Sequence, residues 1–96
     1  MLLVYRKIMQ KVQVNKVGLV FGSFMGIFHL VWSLMVATGM AQICLDFIFK
    51  VHMINPVYEV SPFSISMALT LIIITTIIGY IGGALAGWLW NKFVAD

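Results

Sequence analysis

The side chains able to do chemistry are few, and they do not gather at the spacing chemistry needs. His29 stands alone between Phe28 and Leu30, His52 is too far along the chain to join it, and Ser23, Ser33, Ser61, Ser64 and Ser66 have no base beside them. Nucleophilic catalysis needs hydroxyl, base and orienting group within hydrogen-bond reach, and metal sites need several ligands converging. The sequence therefore offers no catalytic residue and no metal set, and an enzyme is not expected. Cys44, the single cysteine, cannot close an internal disulfide and reads as a small apolar packer.

His29 shares one helical face with Gly22, Gly26 and Ser33, about 18 Å into an apolar run at 1.5 Å per residue. Three chemistries suit an imidazole so placed. It can hydrogen-bond across a helix interface to Thr75, Thr76 or Tyr80, handle a proton, or act as axial ligand to a tetrapyrrole, haem or chlorophyll-type, admitted by the flanking glycines. A bis-histidine haem would need a second histidine at equal depth, which only a symmetric dimer supplies. The interhelical hydrogen bond is the simpler expectation, with no cofactor.

Gln42, Asp46 and Lys50 make a polar stripe at successive four-residue steps, Asp46 preceding Lys50 in the order that favours a helical ion pair. The stripe suits a solvated helix face outside the bilayer; its functional alternative is the mouth of a pore. The opposite face, with Ile43, Phe47, Ile48, Val51 and Ile54, must bury against something, and Phe63 to Leu69 is the nearest apolar segment.

The elements that must hold these groups follow from composition. Of 96 residues 62% are apolar and 9% charged, against roughly 25% charged in a soluble domain. No formal charge falls between Lys16 and Asp46 or between Glu59 and Lys92, and either run exceeds the roughly 20 helical residues that cross a hydrocarbon core. The first run is also longer than the 7 to 15 apolar residues of a typical signal peptide, so it reads as retained. The fold class expected is an all-α membrane protein, a two-transmembrane-helix antiparallel hairpin with a short N-terminal amphipathic interfacial helix. Residues 1–96 form one membrane domain: an interfacial segment 1–16, helix 1 over 17–53 embedded near 18–39, an external loop 54–62, and helix 2 over 63–92 embedded near 70–90. Pro56 and Pro62 bracket the loop, with Ser61 as N-cap and Pro62 at the first helical position.

Charge sets the orientation. Arg6, Lys7, Lys11 and Lys16 precede the first span and Lys92 follows the second, while Lys50 alone lies on the connecting side. The positive-inside rule places both termini in the cytoplasm, with Trp88, Trp90 and Lys92 marking the inner headgroup level. Val4, Tyr5, Ile8, Met9 and Val12 fall opposite Arg6, Lys7, Gln10, Lys11 and Gln13, the pattern of a helix lying in the interface. These basic residues suit anionic lipid, and the apolar setting excludes a nucleic-acid face.

The most specific pattern is a pair of glycine ladders. Gly18, Gly22 and Gly26 continue past His29 to Ser33, Ala37 and Ala41, while Gly79, Gly83 and Gly87 occupy the second helix. Small residues at this spacing let backbones approach closely, which favours helix association in lipid. Both ladders fall in the inner half of the bilayer, face to face in a hairpin; the alternative is that one ladder, or the face of Gly82 and Ala86, meets a second copy. Two spans bury little of each other, so a homo-oligomer or a place in a larger membrane complex is expected.

The order Gly22-Ser23-Phe24-Met25-Gly26, His29-Leu30-Val31-Trp32, Leu45-Asp46-Phe47-Ile48-Phe49 and Ile81-Gly82-Gly83-Ala84-Leu85-Ala86-Gly87-Trp88-Leu89-Trp90-Asn91 resembles small bacterial two-span inner-membrane proteins of uncharacterised activity. The resemblance covers most of the chain. It implies a prokaryotic inner-membrane location and lends no activity, substrate or catalytic residue. Three functions are open: a non-enzymatic accessory or self-associating subunit, a homo-oligomeric channel or holin-like pore, and pigment or haem binding at His29.

Overall fold

The computed structural model describes residues 10–95, and these are all-helical with no strand among them. Three helices follow in order: α1 over Val14–Thr38, α2 over Met40–Val51 and α3 over Ile65–Phe93. At 1.5 Å per residue, the 25 residues of α1 reach about 37 Å and the 29 of α3 about 43 Å, both longer than a hydrocarbon core of about 30 Å. Both are long and apolar enough to span a membrane.

The long helix expected over 17–53 is two helices. Gly39 adopts the left-handed conformation (φ 84°, ψ −2°) and its N–H donates to the Val36 carbonyl at 3.2 Å, which closes α1; Met40 opens α2 in the next residue. Glycine takes this conformation without a Cβ penalty, so it can end one helix and redirect the next. α2 ends differently. Ile54 N–H donates to Phe49 O at 2.9 Å and Met53 N–H to Lys50 O at 3.0 Å, a Schellman pair with Met53 in the left-handed position at φ 61°.

α3 starts at Ile65, with Ser64 as the extended N-cap whose hydroxyl accepts from Met67 N–H at 3.5 Å. Ser61 and Pro62, expected to begin the helix, remain in the connection instead. The cause lies in Gln42. Its side chain donates to the Tyr58 carbonyl and accepts from Val60 N–H, so the chain through 58–60 is tied to α2 and lies outside any helix. At the other end, residues 10–13 are not helical and α1 starts at Val14, so the interfacial helix expected over 1–16 does not include them. Its remaining part, with Arg6 and Lys7, lies outside the described residues.

α1 and α3 pack along their length in opposite directions, and their buried residues are almost all glycine. In α1 they are Gly18, Gly22, Gly26 and Ser33; in α3 they are Gly79, Gly83 and Gly87. The four-residue stripe does not stay on this face. Ala37 is exposed while Ala41, beyond the break, is fully buried. Each four-residue step overshoots the 3.6-residue turn, so the stripe drifts off the interface by Ala37, and Ala41 lies beyond the turn on α2, which packs on α1 and not on α3.

Candidate functional site

The glycines do not meet glycines. A Cβ on Gly18 would lie 2.8 Å from the Tyr80 ring, one on Gly22 3.0 Å from the Thr76 carbonyl oxygen, and one on Gly26 against the Thr76 hydroxyl. From the other side, a Cβ on Gly79 would lie 2.8 Å from both the Phe21 carbonyl oxygen and Met25 Cγ. One on Gly83 would lie 2.8 Å from the Val17 carbonyl oxygen and Phe21 Cβ, and one on Gly87 3.3 Å from Val17 Cβ. Each ladder is thus a groove filled by the larger side chains of the other helix. Partner numbers fall as glycine numbers rise, which is the antiparallel register. At Gly22, Gly79 and Gly83 the close approaches include backbone carbonyl oxygens, which a side-chain rotamer cannot relieve.

Polar groups close one end of this interface. Asn91 makes a two-way bond to the backbone of Val12: its Nδ2 donates to the Val12 carbonyl at 2.8 Å and its Oδ1 accepts from Val12 N–H at 2.7 Å. Trp90 Nε1 donates to the Gln10 carbonyl at 2.9 Å, and the Tyr80 hydroxyl donates to Asn15 Oδ1. Residues 10–13 are therefore strapped to the end of α3, and Trp90 is a clasp as well as a residue at the helix end. Sequence reasoning missed this clasp, because an asparagine beside Lys92 reads as a solvated helix end; its only signal was two amides, Asn15 and Asn91, at the matching ends of two apolar helices. Trp88 is half exposed, with Lys92 Nζ 4.9 Å above its ring centroid. Lys11 and Lys16 are exposed near the same end.

At the opposite end Gln42 does not merely stand in a solvated stripe. Besides gripping Tyr58 and Val60, its Nε2 donates to Asp46 Oδ1 at 2.9 Å, so Gln42 is the hydrogen-bond partner Asp46 finds on its own helix. Phe49 packs on Tyr58 with ring centroids 6.0 Å apart, adding an apolar contact to the same tether. Lys50 is exposed.

His29 is half-buried and bonds within its own helix, its Nδ1 lying 2.8 Å from the Met25 carbonyl oxygen, rather than to Thr75, Thr76 or Tyr80. Thr75 and Thr76 donate to carbonyls one turn back, and Tyr80 is engaged with Asn15. The intrahelical bond arises because the ring can reach the carbonyl four residues earlier, and apolar surroundings leave that acceptor without competition from water. Ser33 likewise donates to the His29 carbonyl at 2.8 Å, so its buried hydroxyl is satisfied. Cys44 is a half-buried free thiol. No group of three or more metal-ligating side chains forms among the described residues.

Compared with family models, curated proteins and solved structures, the chain matches none of them.

Proposed function

We propose that this chain is a non-enzymatic integral membrane protein that crosses a bacterial inner membrane twice as a helical hairpin. Both ends face the cytoplasm, and the protein works by association, with copies of itself or as an accessory subunit of a larger membrane complex. The observation that carries this reading is the inverted placement of apolar surface. Ala41 is the sole buried apolar residue among the described residues that are not glycine, while Phe24, Ile27, Phe28, Leu34, Ile73, Ile78 and Ile81 are all more than half exposed. A soluble core helix of this composition hides its apolar face. Here only 17% of the most apolar stretch of α1 and 11% of that of α3 is buried. Left in water, apolar area costs about 25 cal/mol per Å², so a surface this large favours lipid or another apolar partner.

The glycine geometry supports the second half of the proposal. Both ladders are filled within the chain, so association with another helix draws on the outer surface. On that surface Gly82 has open space beside it and Ala86, one turn on, is exposed, which gives α3 its lowest outer profile. A neighbouring backbone approaches closest along such a stripe.

Native mass spectrometry of the protein released in its own lipid tests the reading. A discrete homo-oligomer or a co-purifying membrane subunit is the expected outcome. A bare monomer throughout, under mild extraction, would refute association.

A further inference from the structure

Between the far end of α1, α2 and the start of α3 lies a cleft of about 470 Å³, within the size range of small-molecule sites. Trp32 and Val36 from α1, Leu45 from α2, and Phe63 and Leu71 form apolar walls. Glu59 contributes the one charged side chain in the lining. Its backbone is set, while its side chain is exposed: Gln42 accepts from the N–H of Val60 and donates to the carbonyl of Tyr58, gripping the peptide groups on either side of Glu59. The Phe49 and Tyr58 rings pack beside the same tether.

From this arrangement we propose that the cleft binds an amphiphile with an apolar body and a single ammonium head, the body among Trp32, Leu45 and Leu71 and the head against Glu59. The inference goes beyond the association reading and does not depend on it. Charge decides the ligand class. An exposed carboxylate in the lining of an apolar cleft, with no cationic side chain in that lining, favours a cation, and the Phe63 ring in the same lining suits an alkylammonium more than a neutral or anionic head. The nearby N-terminus of α3 carries only about half a unit of positive charge, and Ser64 already engages its Met67 N–H, so the full charge on Glu59 sets the sign of the site. Gln42 acts as a positioning residue, through Glu59.

Two sources supply this chemistry, a free amphipathic amine and the ethanolamine head of a membrane lipid. The test uses full-length protein in non-ionic micelles with Trp88→Phe and Trp90→Phe, which leaves Trp32 as the fluorophore. An alkyltrimethylammonium brominated on its chain should quench Trp32 saturably. Half-saturation should rise about five- to tenfold in Glu59→Gln and stay within about twofold in Glu59→Asp, which keeps the charge. Gln42→Ala should weaken quenching as well, with helicity unchanged. Brominated phosphatidylethanolamine quenching with the same Glu59 dependence assigns the occupant to lipid; quenching by the single-chain ammonium alone assigns it to a free amine. Equal quenching by a brominated alkyl maltoside, or no effect of Glu59→Gln, would overturn the proposal.

Discussion

Gly82 and Gly83 are adjacent, chemically identical and in opposite situations, so alanine at each isolates the helix interface from every other effect. A Cβ at 83 would sit 2.8 Å from the Val17 carbonyl oxygen, which belongs to the backbone and can yield only by moving α1. Moving from 2.8 Å to the 3.4 Å at which ordinary contact begins means parting the helices locally by about 0.6 Å. A gap of that size forfeits roughly a quarter to a half of the dispersion attraction of the flanking contacts, and overpacking of this kind costs about 1–3 kcal/mol. Alanine's better helix propensity offsets about 1 kcal/mol of this, leaving Gly83→Ala less stable by up to about 2 kcal/mol. At Gly82 nothing in the chain lies within 4 Å, so in micelles dilute enough to keep the protein monomeric only propensity acts, and Gly82→Ala should match the parent or exceed it by up to about 1 kcal/mol. The assay is reversible separation of α1 from α3 in mixed micelles of rising SDS content. It would be followed by energy transfer between dyes on Lys16→Cys and Lys92→Cys in a Cys44→Ser background. Equal losses for the two variants, or a larger loss for Gly82→Ala, would refute the assigned interface.

Three further outcomes follow from the same geometry. Asn91→Ala removes both bonds to Val12, so its amide should exchange with solvent at least tenfold faster, equivalent to about 1.4 kcal/mol of lost protection, within the range for an unsatisfied backbone group; unchanged exchange at Val12 would show that the clasp does not hold. Met53→Gly should stabilise the end of α2 by about 1 kcal/mol, because a left-handed residue loses its Cβ penalty, read as slower exchange at Ile54; faster exchange there would contradict the Schellman turn. Gly39→Ala carries the same penalty in reverse, about 1–2 kcal/mol, and should alter the distance between spin labels on α1 and α2. An unchanged distance distribution with unchanged stability would mean that Gly39 does not set the break.

What the sequence made legible was periodic. The uncharged runs marked out two long apolar helices, and the four-residue spacing singled out glycines that the structure buries, although Ala37 on the same stripe is exposed. The break at Gly39 was not legible, since a glycine inside an apolar run is equally compatible with a continuous helix that pays a propensity cost of about 1 kcal/mol. What selects the turn is what comes after it, the burial of Ala41 and the reach of Gln42 to Val60, neither of which has a local sequence signal. Non-local bonds likewise hold the chain ahead of Ser61, through Gln42, and residues 10–13, through Trp90 and Asn91. For His29 the glycine face was visible in the sequence, but a choice between a partner across the interface and one four residues back depends on ring orientation, which periodicity does not encode.

The central claim, two crossings with both ends on the cytoplasmic side, is tested most directly by cysteine accessibility. Lys11→Cys, Val57→Cys and Val94→Cys would each be placed in a Cys44→Ser background and treated with a membrane-impermeant maleimide on intact spheroplasts and on inverted vesicles. The account predicts that Val57→Cys reacts in spheroplasts only and that Lys11→Cys and Val94→Cys react in inverted vesicles only. Reaction of all three from one side, or of the two ends from opposite sides, would contradict it.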